Sequence, residues 1–96
     1  MVKHIVMFKL KEKNPENVKQ VVEALRGMEG RIETLKHIEV GENFKESDRA
    51  FDVVLTTHFE NEAGLDTYIA HPVHQPVVAL IRTLCEKMTS ADYHCS

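Results

Sequence analysis

The fold of this chain is decided by its opening stretch, Val2-Lys3-His4-Ile5-Val6-Met7-Phe8-Lys9. Successive side chains of a β-strand point to opposite faces, so the even-numbered and odd-numbered side chains of this stretch would lie on opposite faces of the sheet. The even positions are mostly apolar, while Ile5 and Met7 bring apolar groups to the other face. A strand with apolar groups on both faces predicts a sheet that is covered on both sides.

The residues that follow this strand have the pattern of a capped amphipathic helix. Asn14 is a favoured N-cap, and Pro15 fits the first helical position, where a backbone N–H is not needed. Gly27 and Gly30 predict the end of the helix. Its apolar stripe recurs at helical spacing, at Val18, Val21, Val22, Leu25 and Met28.

The middle of the chain predicts two further strands. The first covers about Leu35 to Glu42, and the second covers Phe51 to Phe59. A polar loop from Gly41 to Arg49 connects them. In the second of these strands every other residue would share one face, starting from Phe51.

The C-terminal part predicts two helices and a last strand. Asn61 would cap a short helix that runs through Ile69, because Pro72 disfavours helical geometry at His71. A new helix would begin at Pro72, and the last strand would run from about Thr89 to Cys95. The predicted buried side of the last helix consists of Val77, Leu80, Ile81, Leu84, Cys85 and Met88.

The resulting order, β-α-β-β-α-(α)-β, predicts an α+β protomer of the ferredoxin-like, split-βαβ type. Helices would cover one face of an antiparallel sheet. Apolar residues are nevertheless spread over both faces, namely Ile5, Met7, Ile38, Val40 and Val54. A second sheet packed face to face would cover the free side, so the pattern favours a homodimer.

Length and composition restrict the classes of function. The 96 residues predict a single domain over positions 1–96. Twelve basic and fifteen acidic residues give a formal net charge of −3, which disfavours nucleic acid as a partner. No apolar run is long enough for a membrane span. Cys85 and Cys95 fit no disulfide or metal spacing, so we expect a cytoplasmic protein with reduced thiols.

Three stretches resemble the stress-responsive dimeric α/β-barrel (A/B barrel) family. They are the opening strand Val2–Lys9, the segment Ala50-Phe51-Asp52-Val53-Val54-Leu55, and the element Tyr68-Ile69-Ala70-His71-Pro72-Val73-His74. Gly41 and Asp92-Tyr93 match as well. The resemblance spans nearly the whole chain and implies two ferredoxin-like protomers that form a dimeric α/β barrel.

The resemblance also implies candidate site residues. Most members of the family have no assigned activity, but olivetolic acid cyclase-like polyketide cyclases perform aldol chemistry without a metal or organic cofactor. Their catalytic tyrosine and histidine are matched by Tyr68 and His74, and their strand-one pocket histidine is matched by His4. Two other pocket positions of these cyclases are Leu25 and Val53 in this chain, where aromatic groups are replaced by aliphatic ones. More distant ferredoxin-like relatives include cofactor-independent monooxygenases.

The chemistry of these residue types agrees with acid–base catalysis. His74 would lie in the first turn of a helix, where the helix dipole disfavours the imidazolium, so a neutral base is expected. Tyr68 would offer its hydroxyl to a carbonyl or an enolate. His71 precedes a proline and is expected to cap the new helix. Structural roles for these side chains, including a surface hydroxyl for Tyr68, are the competing interpretation.

A zinc site is a further alternative, because His71 and His74 are three residues apart and His4, His94 or Cys95 could join them. The kink expected at Pro72 disfavours convergence of the two histidines, so we expect neither a metal nor a cofactor. Two functional hypotheses follow. In the first, each protomer has a small pocket for a hydrophobic or aromatic molecule, lined by His4, Tyr68 and His74. In the second, the barrel is a non-enzymatic domain for binding, stress protection or assembly.

Overall fold

A computed structural model describes residues 1–95 of the chain. It contains four strands and three helices in an order that matches the sequence-based prediction. The elements are β1 (Val2–Leu10), α1 (Pro15–Arg26), β2 (His37–Glu42), β3 (Val53–Phe59), α2 (Glu62–Ala70), α3 (His74–Leu84) and β4 (Cys85–His94).

The four strands form one antiparallel sheet with the order β2-β3-β1-β4. Its central strand β1 pairs with β3 on one side and with β4 on the other. The helices pack on one face of this sheet, which confirms the predicted ferredoxin-like α+β fold. Strand β4 lies at an edge, and it is exposed along almost its whole length after Cys85.

The helix starts follow from local capping, as predicted. The side chain of Asn14 accepts a hydrogen bond from the Asn17 N–H at 2.8 Å, and Pro15 is the first residue of α1. Asn61 accepts one from the Gly64 N–H at 2.9 Å at the start of α2. Beyond α1 the chain turns at Gly30, whose φ of 76° is readily adopted only without a Cβ.

The hydrophobic core lies between the sheet and the helices. The apolar stripe of α1 is buried there, as its spacing predicted, and Val21, Val22 and Leu25 are nearly inaccessible. Further core side chains come from alternate positions of β1, β2 and β3 and from Met28, Ile32, Leu65, Tyr68 and Ile81. Cys85 is buried as well, in agreement with the sequence.

The boundary between the last helix and the last strand differs from the prediction. The helix ends at Leu84, and Cys85–His94 form β4. The helical spacing of Cys85 and Met88 was misleading because β1 is long enough to pair with them. Leu10 pairs with Cys85, and Phe8 pairs with Met88. Long-range pairing of this kind overrides local helical preference.

Three smaller expectations also need correction. Leu80 lies on α3 but is 37% exposed, so it is not part of the buried stripe. Strand β2 begins at His37 and not at Leu35. Phe51 lies outside β3, and its ring is contacted by the Lys87 ammonium at 5.8 Å from the ring centroid. The backbone N–H of Asp52 bonds to the carbonyl of Phe8, and regular β2–β3 pairing begins only at Val53.

The sheet face opposite the helices carries apolar side chains without a cover in the protomer. The strand registers place Met7 next to Val54, and Met7 is 38% exposed. By contrast, Ile38 and Val40 lie on the helix-covered face with the core. Within the described residues, none of the helices has the length and apolar character needed to span a membrane.

Candidate functional site

Tyr68 lies at the centre of the candidate site. It belongs to the last turn of α2, and its side chain is completely buried. The ring contacts Phe59 edge to face, with 5.0 Å between centroids. Burial raises the pKa of the Tyr68 hydroxyl to about 12, so the group is an O–H donor at neutral pH. The competing interpretation, in which the Tyr68 hydroxyl lies at the surface, is therefore wrong.

The Tyr68 hydroxyl has a weak partner. Within residues 1–95, its hydrogen bond goes to the Sδ atom of Met28 at 3.8 Å. A thioether sulfur is a poor acceptor compared with a carbonyl or carboxylate oxygen. The hydroxyl can therefore exchange this partner for a better acceptor on a ligand.

Helix α3 begins at His74 and not at Pro72, so the predicted helix start was wrong by two residues, although His74 does lie in the first turn. The His74 ring lies against Tyr68 with 4.6 Å between centroids. Its Nδ1 atom is 2.9 Å from the carbonyl oxygen of Ile69. Because a carbonyl can only accept, Nδ1 must carry the proton. In the neutral ring, Nε2 then has a free lone pair.

Burial has the largest effect on the pKa of His74 and lowers it, and His4 and His71 act in the same direction. The hydrogen bond to the Ile69 carbonyl raises the pKa, but the net shift is downward and favours this neutral state.

His4 approaches the same tyrosine from the sheet. The centroids of the His4 and Tyr68 rings are 6.0 Å apart. The Nδ1 atom of His4 is hydrogen bonded to the carboxylate of Asp92, its partner in the β1–β4 ladder. Since the carboxylate accepts, this contact fixes Nδ1 as the donor and orients the His4 ring.

These three side chains line a cavity of about 130 Å³ between the sheet and the helices. Tyr68, His74 and His4 provide the polar part of its wall. The rest of the wall is apolar, with Val6, Phe8, Leu55 and Met88 from the sheet and Leu25, Met28, Val77, Val78 and Ile81 from the helical layer. Met88 is also 41% exposed, so the cavity meets solvent beside it.

Two other candidate residues, His71 and Val53, lie outside the cavity wall. The Nδ1 atom of His71 accepts the Val73 N–H at 3.0 Å, and its carbonyl accepts the N–H groups of His74 and Gln75. His71 is thus the C-cap of α2, whereas Val73 is the N-cap of α3, so the prediction that His71 caps the new helix was wrong. Val53 is buried at the start of β3 and also lies outside the cavity wall, whereas Leu25 is part of that wall.

The alternative zinc site gains no support from the side-chain arrangement. Among residues 1–95, no group of three or more His, Cys, Asp or Glu side chains is placed to hold a metal ion. The Nδ1 atoms of His71 and His74 are both engaged by backbone groups. Burial raises the pKa of the Cys85 thiol to about 11, so this cysteine stays protonated.

Sequence reasoning missed two features of the site. Asp92 was noted only as part of a matching segment, and its contact with His4 depends on the register between β1 and β4. Met88 was assigned to the last helix, although it lines the cavity from β4. A correct start for β4 would not have revealed the contact, because the β1–β4 register shifts between Lys9 and Leu10.

Comparison with known proteins identifies the family. A sequence profile described as Stress responsive A/B Barrel Domain matches residues 2–95. The chain belongs to the stress-responsive A/B barrel family. This A/B barrel protein is 34% identical over 96 residues to an uncharacterized protein of Streptomyces coelicolor, and the match covers 97% of this chain and 98% of that protein.

Solved structures extend the comparison. A dimeric protein of unknown function with a ferredoxin-like fold from Bacteroides fragilis has a TM-score of 0.84 and 27% identity, covering 98% of this chain and 95% of that one. A hydroxynitrile lyase from Passiflora edulis has a TM-score of 0.84 and 18% identity, with 99% and 93% coverage. The similarity to the hydroxynitrile lyase concerns the fold alone.

Proposed function

We propose that this A/B barrel protein binds a small hydrophobic carbonyl compound in the cavity and catalyses proton transfer on it without a metal or organic cofactor. His74 is the general base, and Tyr68 is the hydrogen-bond donor to the carbonyl oxygen. The observation that carries the proposal is the pairing of these two rings at one cavity, where Nε2 of His74 has no hydrogen-bond partner among residues 1–95 and can accept a proton.

The proposed step starts with proton abstraction next to the carbonyl. Nε2 of His74 takes the proton from the α-carbon, and the electron pair of that C–H bond forms the C=C bond of an enolate. The negative charge develops on the carbonyl oxygen, where the Tyr68 O–H donates a hydrogen bond. Return of a proton from the imidazolium to the α-carbon restores both the ketone and the neutral ring.

The His4–Asp92 pair supports this arrangement from the sheet side. The carboxylate fixes His4 in one orientation, so its ring forms a defined wall of the cavity near Tyr68. A protein of similar fold from Passiflora edulis is described as a hydroxynitrile lyase. At 18% identity this likeness agrees with the proposal but does not carry it.

The second candidate function is a non-enzymatic binding or assembly domain. One observation favours it, namely the backbone hydrogen bond of His74, which a structural histidine would also make. That bond uses Nδ1 only, however, and the cavity reaches both Tyr68 and His74. The acid–base hypothesis accounts for both features, so we prefer it.

The protein is also proposed to work as a homodimer in the cytoplasm. The open sheet face with Met7 and Val54 needs an apolar cover, and the relative from Bacteroides fragilis is described as dimeric. Two sheets packed through these faces would form the dimeric α/β barrel. The buried, protonated thiol of Cys85 agrees with a reducing compartment.

The test is deuterium exchange at the methyl group of acetophenone in D₂O, followed by NMR at pH 7.5. The wild-type protein should accelerate the exchange above the buffer rate. His74→Gln should lower the accelerated rate by about 100-fold or more, because general-base catalysis contributes roughly 10²–10⁴-fold.

The matched control is His94→Gln. His94 is an exposed histidine that pairs with Glu62 at 2.8 Å and lies outside the cavity wall. This variant should retain the wild-type rate. Equal rates for the wild type, His74→Gln and buffer would refute the proposed chemistry and leave the binding-domain hypothesis.

A further inference from the structure

The size and charge of the cavity restrict what the protein can bind. We infer that its ligand is an uncharged carbonyl compound about as large as one benzene ring with a short substituent, and not a carboxylate, a phosphate ester or a larger polyketide. This inference rests on the proposed function and specifies its substrate class.

The size limit follows from the volume of the cavity. A cavity of roughly 150 Å³ lined by aliphatic and aromatic side chains accommodates benzene. The cavity here measures about 130 Å³, so a single ring nearly fills it. A short substituent could extend toward solvent beside Met88, the most exposed residue of the wall. A fused ring system would have to displace buried side chains such as Leu25 and Ile81.

The charge limit follows from the chemistry of the wall. Within residues 1–95, no lysine or arginine lines the cavity. A carboxylate placed there would lose hydration without gaining a cationic partner, and such transfers are strongly unfavourable. The carboxylate of Asp92, which is bonded to His4 in the cavity wall, would repel an anion.

The polar groups that are available suit a neutral carbonyl. The Tyr68 hydroxyl is an uncharged donor that can leave its weak sulfur partner, and His74 is kept neutral by burial. Neither group supplies a full positive charge in the ground state. They match a ketone or aldehyde, which needs one donor and no counter-ion.

The test is a binding comparison of acetophenone, benzoate and 2-acetonaphthone. The first two ligands have the same number of non-hydrogen atoms but differ in charge, and the third is larger and neutral. Binding is followed through the NMR signals of the Tyr68 and His74 side chains. Acetophenone should bind at least about thirtyfold more tightly than benzoate, from a cost of about 2 kcal/mol for an unpaired buried carboxylate. It should also bind more tightly than 2-acetonaphthone.

A charge introduced at the mouth should change this preference. Met88→Lys places an ammonium beside the cavity and should raise benzoate affinity by about threefold to tenfold. Met88→Gln is the neutral control and should leave benzoate weak. No gain of benzoate affinity in folded Met88→Lys would contradict the charge argument.

The remaining outcomes separate this inference from the proposed function. If benzoate or 2-acetonaphthone binds wild-type protein as tightly as acetophenone and shifts the same signals, the substrate class is wrong while the site stands. If none of the three ligands shifts these signals at millimolar concentration, both the substrate class and the proposed function are overturned.

Discussion

Removal of one oxygen atom, by Tyr68→Phe, should separate catalysis from stability. The Tyr68 ring is completely buried, and its contact with Phe59 does not involve the hydroxyl. The hydroxyl itself bonds only weakly, to a thioether at 3.8 Å. An ordinary protein hydrogen bond contributes about 1 kcal/mol net, and a sulfur acceptor should contribute less. We therefore expect the free energy of unfolding to change by less than about 1 kcal/mol, whereas Tyr68→Ala should cost about 3–5 kcal/mol.

The effect on chemistry should be much larger. Loss of a single donor to a developing oxyanion reduces rates by about 10²–10³-fold. Urea unfolding followed by circular dichroism gives the stability change, and acetophenone exchange in D₂O gives the rate. A loss of 3 kcal/mol or more with an unchanged exchange rate would refute this reasoning, because the hydroxyl would then be structural. Unchanged stability together with an unchanged rate would refute its role in the site.

Three further predictions concern protonation, a buried carboxylate and assembly. Burial lowers the pKa of His74, so the unfolded chain binds more protons than the folded chain between the folded-state pKa and about pH 6.5. The free energy of unfolding should therefore fall as the pH drops through this range. Urea titrations of His74→Gln should lack this pH dependence. Asp52→Ala leaves the buried N–H of Leu10 without its 2.9 Å partner, so urea unfolding should show a loss of about 1–3 kcal/mol, and a loss below 0.5 kcal/mol would contradict this. Light scattering should give about twice the chain mass of 11.0 kDa. Met7→Lys, on the open sheet face, should shift the measured mass toward that of the monomer. A wild-type monomer at high concentration would contradict the dimeric barrel.

Most elements of the fold follow from local signals in the sequence. The caps at Asn14 and Asn61 and the proline at position 72 set helix boundaries through the backbone groups next to them. Such signals involve residues three or four positions apart, so they can be recognised without knowledge of the tertiary structure. The start of β4 could not be recognised in this way. Cys85 and Met88 continue the helical spacing of α3, and only pairing with the distant β1 makes them part of a strand.

The candidate site was predictable only in part. The resemblance to the family indicated Tyr68, His74, His4 and Leu25, and the structure brings these residues to one cavity wall. It also indicated Val53, which lies outside that wall. The contact between His4 and Asp92 depends on the register between the first and last strands of the chain. A shift of one residue would turn Asp92 to the opposite face, and the sequence contains no local signal that fixes this register.

A crystal structure of the protein with bound acetophenone would test the central claim most directly. We expect the ketone in the cavity of about 130 Å³, with its oxygen within hydrogen-bond distance of the Tyr68 hydroxyl, roughly 2.6–3.2 Å. Its methyl carbon should lie about 3–3.5 Å from Nε2 of His74, the separation needed for reaction. An empty cavity beside a ketone bound elsewhere, or a ketone whose oxygen points away from Tyr68, would contradict the account.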